Sequence, residues 1–88
     1  MIFISLIRFK EKPSKETIAK GDKVAKQLSK EDVKIIGRYW TLGRYDGVLI
    51  FEAPDEKAAM KVGIAIADTV KTETLVAIPR EEAVRLLE

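Results

Sequence analysis

The chain has 88 residues and a formal net charge of +2, and 47% of its residues are apolar while 34% are charged, which describes one small folded domain over residues 1–88. Cysteine and histidine are both absent. Disulfides, thiol nucleophiles and cysteine-ligated metal centres are therefore excluded, and because the commonest general base and haem ligand is also missing, we expect neither a metal nor another cofactor.

The first predicted element is a strand from Ile2 to Phe9, a β-branched and aromatic run that the polar segment EKPS follows. Its apolar residues occupy both alternating positions, so neither side of the strand has a solvated pattern. The run is too short to span a bilayer, and it lacks the basic start and the cleavage site of a secretion signal. We therefore expect a cytoplasmic protein with no membrane partner.

A helix is predicted to begin after Pro13, with Ser14 as its N-cap. Apolar residues follow at helical spacing, and lysines occupy the opposite side. Gly21 and Asp22 leave two interpretations open. The segment forms either one continuous helix, or a short turn followed by a main helix that Asp22 caps.

Basic side chains are concentrated in the first half of the chain. Residues 1–44 carry 11 basic and 5 acidic side chains, and residues 45–88 carry 5 and 9. Such asymmetry can mark a nucleic-acid surface. Most of the excess, however, comes from lysines interleaved with acids along the first helix, which more simply describes a solvated helix face.

Two strands follow, from Val33 to Leu42 and from Tyr45 to Ala53. They are joined by Gly43 and Arg44, and a type II′ turn favours glycine at its first central position, so we predict a two-residue hairpin. This turn sets a register that pairs Leu42 with Tyr45, Thr41 with Asp46, Trp40 with Gly47, Tyr39 with Val48 and Arg38 with Leu49.

Alternation then assigns each hairpin residue to a face of the sheet. One face carries Ile36, Arg38, Trp40, Leu42, Tyr45, Gly47, Leu49 and Phe51. The other carries Ile35, Gly37, Tyr39, Thr41, Asp46, Val48, Ile50 and Glu52. Neither set is that of a solvent face.

A second, alanine-rich helix is predicted from Asp55, its N-cap, to Asp68 or Thr69. A fourth strand follows from Thr72 to Ile78, where Pro79 stops it, and the tail REEAVRLLE has helical spacing. With right-handed crossovers, the order β-α-β-β-α-β predicts an α+β ferredoxin-like sandwich, an antiparallel sheet with both helices on one face.

Two helices can cover only one face of a four-stranded sheet, so the second apolar face needs a partner. In a small single domain the economical partner is another copy, and we predict a symmetric homodimer packed sheet to sheet. Which face forms the interface stays open. The alternative is a monomer whose tail helix folds back over the second face.

The segment from Gly43 to Asp46, an aliphatic strand, Ala53-Pro54-Asp55, an alanine-rich helix and the strand KTETLVAIP together resemble the GYD domain family. The resemblance covers nearly the whole chain. It implies a ferredoxin-like fold of the dimeric α/β-barrel type. It implies no activity, because the family is largely uncharacterised.

Gly-Arg-Tyr occurs twice in GRYWTLGRYDG, from Gly37 to Gly47, and most candidate site residues lie there. Asp46 could act as a general base, and Tyr39 could donate to a ligand carbonyl or an enolate-like oxygen. The structural alternative is that Asp46 accepts hydrogen bonds from turn amides and Thr41, while the tyrosines bury their rings in an interface.

Arginines add candidate contacts for an anionic ligand. Arg38 and Arg44 could each make a bidentate contact, and Arg8 could line a cavity between sheet and helices together with Ser5. No phosphate-binding glycine loop and no metal-ligand spacing is present. The predicted ligand-binding residues are Arg8, Tyr39, Trp40, Arg44, Tyr45 and Asp46.

Three functions fit these patterns, and we favour a homodimer that binds a small molecule or regulates another process. The alternative is a cofactor-independent enzyme, isomerase or monooxygenase-like, that uses Asp46 and Tyr39. Nucleic-acid binding is a remote third, because the sheet lacks the aromatic and basic strand pair of RNA-binding domains. Asparagine is absent and glutamine occurs once, while lysine and glutamate are plentiful, a thermophile-like composition.

Overall fold

The computed structural model describes all 88 residues, and its four strands form one antiparallel sheet in the order β2-β3-β1-β4. This arrangement confirms the predicted α+β, ferredoxin-like fold. None of the helices has the length and apolar character needed to cross a membrane. In chain order the elements are β1 (Ile2–Phe9), α1 (Lys15–Ser29), β2 (Lys34–Trp40), β3 (Gly47–Glu52), α2 (Glu56–Ile66), β4 (Val70–Ala77) and α3 (Arg80–Arg85).

Helix α1 is continuous through Gly21, which decides between the two interpretations left open by the sequence. Its start is fixed by a capping box: the Ser14 hydroxyl accepts the amide of Thr17, and the Thr17 hydroxyl accepts the amide of Ser14. The lysines of this helix are exposed, as a solvated face requires. One of them, Lys20, forms a 3.0 Å ion pair with Asp68.

Helix α2 begins as predicted and ends early. The Asp55 carboxylate accepts the amide of Ala58 at 2.9 Å, which confirms the N-cap. The last turn tightens into i+3 hydrogen bonds, including one from the amide of Thr69 to the carbonyl of Ile66 at 3.2 Å. Strand β4 therefore starts at Val70 rather than Thr72, because Val70 pairs with the end of β1.

The β2–β3 hairpin has the predicted register, with Trp40 opposite Gly47 and Tyr39 opposite Val48. Gly43 has φ +98°, a positive value that glycine adopts easily, but no backbone hydrogen bond joins Leu42 to Tyr45, so the predicted two-residue type II′ turn is not closed. The regular ladder stops earlier than predicted, at the Trp40–Gly47 pair. Beyond it, the amide of Thr41 still donates to the carbonyl of Asp46 at 2.9 Å.

At the other end of β2 the predicted faces are wrong for one residue. The register shifts between Ile35 and Gly37, so Ile36 is an inserted residue and Ile35 pairs with Phe51. Because a bulge interrupts the alternation of side chains, Ile35 lies on the helix-covered face and packs against the core, not beside Gly37 and Tyr39.

The core lies between the sheet and the two long helices. Phe3 and Phe51 stack with ring centroids 5.4 Å apart, and Leu28 of α1 and Val62 of α2 are buried in the same cluster. Ser5 is the one buried polar residue, and its hydroxyl lies 2.8 Å from that of Thr74. The face that carries these residues is therefore filled by the chain itself.

The opposite side of the sheet, here called the open face, has no cover from its own chain. Helices α1 and α2 pack on the other side, and α3 has no buried residue, so the tail helix does not fold over it. Its apolar side chains are half-buried or exposed, with Tyr39 60% and Leu75 45% exposed. By register, the open face carries Ile2, Ile4, Leu6, Tyr39, Val48, Ile50, Leu75 and Ala77.

Candidate functional site

The predicted site residues lie on two sides of the sheet instead of in one cluster. Trp40 shares the helix-covered side with Gly47, whereas Tyr39 pairs with Val48 on the open face. Neighbouring residues of a strand point to opposite faces, so these two aromatics cannot contact the same ligand. Arg8 falls on the open face as well, and not beside Ser5 in a cavity under the helices.

A groove of about 290 Å³ runs between α1 and the helix-covered face of the sheet. It lies at the end of the sheet where β1 and β2 finish and β4 begins. Its volume is near the lower limit for small-molecule pockets, which are mostly apolar with a few polar groups. The lining fits this description, and its apolar side chains include Ile7, Phe9, Ile18, Val24, Trp40 and Leu49.

Two glycines face the groove from opposite walls. Gly21 lies on α1, where an added Cβ would lie 3.9 Å from Nη2 of Arg38. Gly47 lies on β3, where an added Cβ would lie 3.9 Å from Cδ1 of Trp40. A side chain at either position would occupy groove space. Gly21, which looked in the sequence like a helix break, is thus better explained as part of a groove wall.

An aromatic pair forms one end of the groove. The rings of Phe9 and Trp40 meet edge to face with centroids 5.3 Å apart. Trp40 is nevertheless 66% exposed, so a large aromatic surface is available to a ligand. Phe9 was missing from the predicted set, although it has the same strand parity as Phe3 and could have been assigned to this side from the sequence.

Arg38 supplies a cation beside Gly21. Its Nη1 donates to Oδ1 of Asp22 at 3.1 Å, and the two side chains are 51% and 58% exposed. A pair this exposed contributes only roughly 0–1 kcal/mol, because water screens it. The remaining N–H groups of the guanidinium can still bind an anion.

Asp46 holds the hairpin to the neighbouring strand. Its Oδ2 accepts the backbone amide of Phe9 at 2.8 Å, and its own amide donates to the carbonyl of Ile7 at 2.8 Å. The Thr41 hydroxyl donates to the carbonyl of Tyr45 at 2.7 Å. The Asp46 carboxylate is thus a structural acceptor, as in the alternative interpretation, but it accepts the Phe9 amide and neither a turn amide nor the Thr41 hydroxyl. Asp46 also joins no group of three acids that could bind a metal ion.

Polar residues cluster at the hairpin end of the open face, and Tyr45 is one of them, so its predicted place on the same face as Trp40 is wrong. The Tyr45 hydroxyl donates to Oε2 of Glu73 at 2.8 Å, and this hydrogen bond raises the pKa of the Tyr45 phenol. The guanidinium of Arg44 lies 5.6 Å from the centre of the Tyr45 ring. Nε of Arg8 donates to the carbonyl of Arg44 at 3.1 Å. The cluster thus joins the hairpin to β1 and β4.

We expect Asp46→Ala to lower the free energy of unfolding by about 1–3 kcal/mol, because the partly buried amide of Phe9 loses its acceptor. Asp46→Asn keeps an oxygen in the same place and is the matched control, with a smaller loss. Urea denaturation measures both. Equal losses in the two variants would contradict the role of Asp46 as an acceptor for the β1 backbone.

The Tyr45–Glu73 hydrogen bond predicts a dependence on alkaline pH. Because the folded pKa of Tyr45 is raised above 10.0, the bond stabilises the fold below pH 10 and is lost as pH rises through the folded pKa. In a Tyr39→Phe background Tyr45 is the only phenol left. Its absorbance titration should move to lower pH in Glu73→Ala and stay in place in Glu52→Ala, which removes an acid at the far end of the sheet. Identical titrations in the two variants would exclude the bond.

Comparison with known proteins identifies the family of the chain and leaves the chemistry of the groove open. No curated protein matches the chain. The family model of the GYD domain matches residues 3–87, which include every strand and helix described above except the first residue of β1. The match includes the hairpin with Asp46, the capped start of α2 and the last strand. The chain therefore belongs to the GYD domain family.

Proposed function

We propose that this protein is a homodimeric small-molecule-binding domain, in which two copies pair through the open face and each holds a ligand in the groove under α1. The observation that carries the ligand site is a mostly apolar groove with a glycine in each wall and a largely exposed tryptophan at one end. Such concave, apolar sites with a few polar groups are where small molecules bind.

The open face supports pairing with a second copy. Its centre, on β1 and β3, is aliphatic, and contiguous apolar surface of this kind marks an interaction site. Charged residues of both signs surround it, including Arg8, Lys71 and Glu73. A two-fold axis brings each patch onto a copy of itself, so a rim with both signs can pair with its own image. This packing is the dimeric α/β-barrel arrangement.

The two halves of the proposal are compatible in space. The groove lies on the helix-covered side, and the open face is the other side of the same sheet. Pairing through the open face therefore leaves both grooves accessible to ligand. The hydrogen-bonded cluster around Tyr45 would then lie at the edge of the interface.

The alternative functions draw less support from the same geometry. An enzyme that uses Asp46 and Tyr39 would need both side chains near a substrate, yet the Asp46 carboxylate accepts a backbone amide and the Tyr39 side chain points to the open face. A nucleic-acid surface would need aromatics on the central strands of the open face. Those strands carry Ile4 and Val48 among other aliphatic residues.

We expect Leu75→Glu to convert the dimer into a folded monomer, because it places a charge in the apolar part of the interface, beside Ile4 of the central strand β1. Met60→Glu is the matched control, since Met60 is an equally apolar, 68% exposed residue on α2, outside that face. Sedimentation velocity gives the mass of each variant. A native protein that sediments as a 9.9 kDa particle would contradict the dimer directly.

The ligand half is tested by filling the groove without harming the fold. Gly21→Ala should raise the free energy of unfolding by about 1 kcal/mol, because alanine favours a helix interior. It should also lower the affinity for any ligand that a thermal-shift screen of metabolites finds, because the added methyl group enters the groove.

Gly63→Ala is the control: Gly63 lies on α2 outside the groove, and an added Cβ there would lie no closer than 3.9 Å to Thr72. It should stabilise α2 without lowering the affinity for the ligand. In the screen, a compound at 100 times its Kd adds about 2.7 kcal/mol to the native state. A screen in which no compound stabilises the protein, or ligand affinity that Gly21→Ala leaves unchanged, would contradict binding in the groove.

A further inference from the structure

We infer that the groove under α1 binds a small aromatic carboxylic acid, with its ring against Trp40 and Phe9 and its carboxylate toward Arg38. This inference rests on the proposed ligand-binding function and specifies the class of ligand. Four properties of the groove carry it: its volume, the shape of its aromatic end, the balance of charge around it and the planar form of its arginine cation.

The volume limits the size of the ligand. A groove of about 290 Å³ is at the small end of the range for small-molecule pockets. This size suits one ring with a short side chain. Nucleotides and long acyl chains would extend beyond it.

The aromatic end favours a flat ring. Trp40 contacts Phe9 edge to face, which leaves the rest of its indole surface free. Gly47 lies opposite Trp40 in the ladder and presents no side chain that would keep a ring away. An aromatic ligand can therefore make the offset or edge-to-face contacts that aromatic pairs prefer, and it gains more there than an aliphatic chain of the same size.

The charge around the groove favours an anion. Three cations line it, Lys10, Lys12 and Arg38, against the acids Glu11 and Asp68. The charge of Asp68 is already balanced by the ion pair with Lys20, whose hydrogen bond lowers the pKa of Asp68. Arg38 is likewise paired with Asp22, and the remaining cations, Lys10 and Lys12, exceed the remaining acid, Glu11, so one positive charge is left over for a ligand.

The form of the cation favours a carboxylate in particular. Nη1 of Arg38 donates to Asp22, and its Nη2 lies beside Gly21 at the wall of the groove. A planar guanidinium pairs with a planar carboxylate through two parallel hydrogen bonds. No glycine loop that could surround a phosphate opens into the groove, so a single negative charge in a planar group fits best.

Trp40 makes the test direct, because it is the only tryptophan in the chain and lines the groove. Its emission can be titrated with 3-phenylpropionate and with 3-phenylpropan-1-ol, a neutral molecule with the same ring and chain. We expect the acid to bind about tenfold or more tightly than the alcohol, as a hydrogen-bonded charge predicts. Arg38→Met should lower the affinity for the acid by a similar factor and leave the affinity for the alcohol unchanged.

Lys23→Met is the control variant, since it removes one positive charge from an exposed site on α1 outside the groove. It should leave the affinity for the acid within twofold to threefold of the native value. Both variants should fold, because the substituted side chains are exposed, and circular dichroism checks this. Equal losses in the two variants would mean that net charge, and not Arg38, attracts the acid, which would overturn the inference.

The outcomes separate this inference from the proposed function. If the alcohol binds as tightly as the acid, the groove is a binding site but the ligand class is wrong. A second result leads to the same conclusion. Neither probe changes the Trp40 emission, but another compound stabilises the native protein and binds Gly21→Ala more weakly. If no compound of any class does so, the proposed ligand-binding function fails together with this inference.

Discussion

The structure depends on one packing constraint: a four-stranded sheet has two faces, and this chain has helices for one. Every second residue of β1 and β3 faces the core, where Phe3 and Phe51 stack beneath α1 and α2. The alternate residues of the two strands, such as Ile4 and Ile50, are almost as apolar, and no helix covers them. The first face provides the core of the fold, and the second is left uncovered by the chain's own helices.

The same alternation separates the residues of the Gly-Arg-Tyr segment by function. Trp40 points toward α1 and completes the groove, while Tyr39 points to the open face. Glycine then adjusts the space on each side. Gly47 places no side chain in the groove. On the open face, a Cβ at Gly37 would lie only 2.8 Å from the Tyr39 ring. The absence of a side chain at Gly37 therefore lets that ring lie along the strand.

At the hairpin end, side chains complete what the backbone ladder leaves unfinished. The Asp46 carboxylate accepts the amide of Phe9 just beyond the last pair of β1 and β3. Phe9 in turn contacts Trp40, so this acceptor also positions the aromatic end of the groove. Asp46 thus affects the groove only by positioning Phe9. The cation that can contact a ligand is Arg38, in β2.

The sequence by itself determined the order of the elements, the caps at Ser14 and Asp55 and the register around Gly43, because each depends on residues close together in the chain. Only the tertiary structure decided the rest. The bulge at Ile36 and the continuity of α1 through Gly21 depend on packing against distant residues, and local propensity does not contain that information. The groove likewise joins the ends of β1 and β2 to α1, which only the folded sheet brings together.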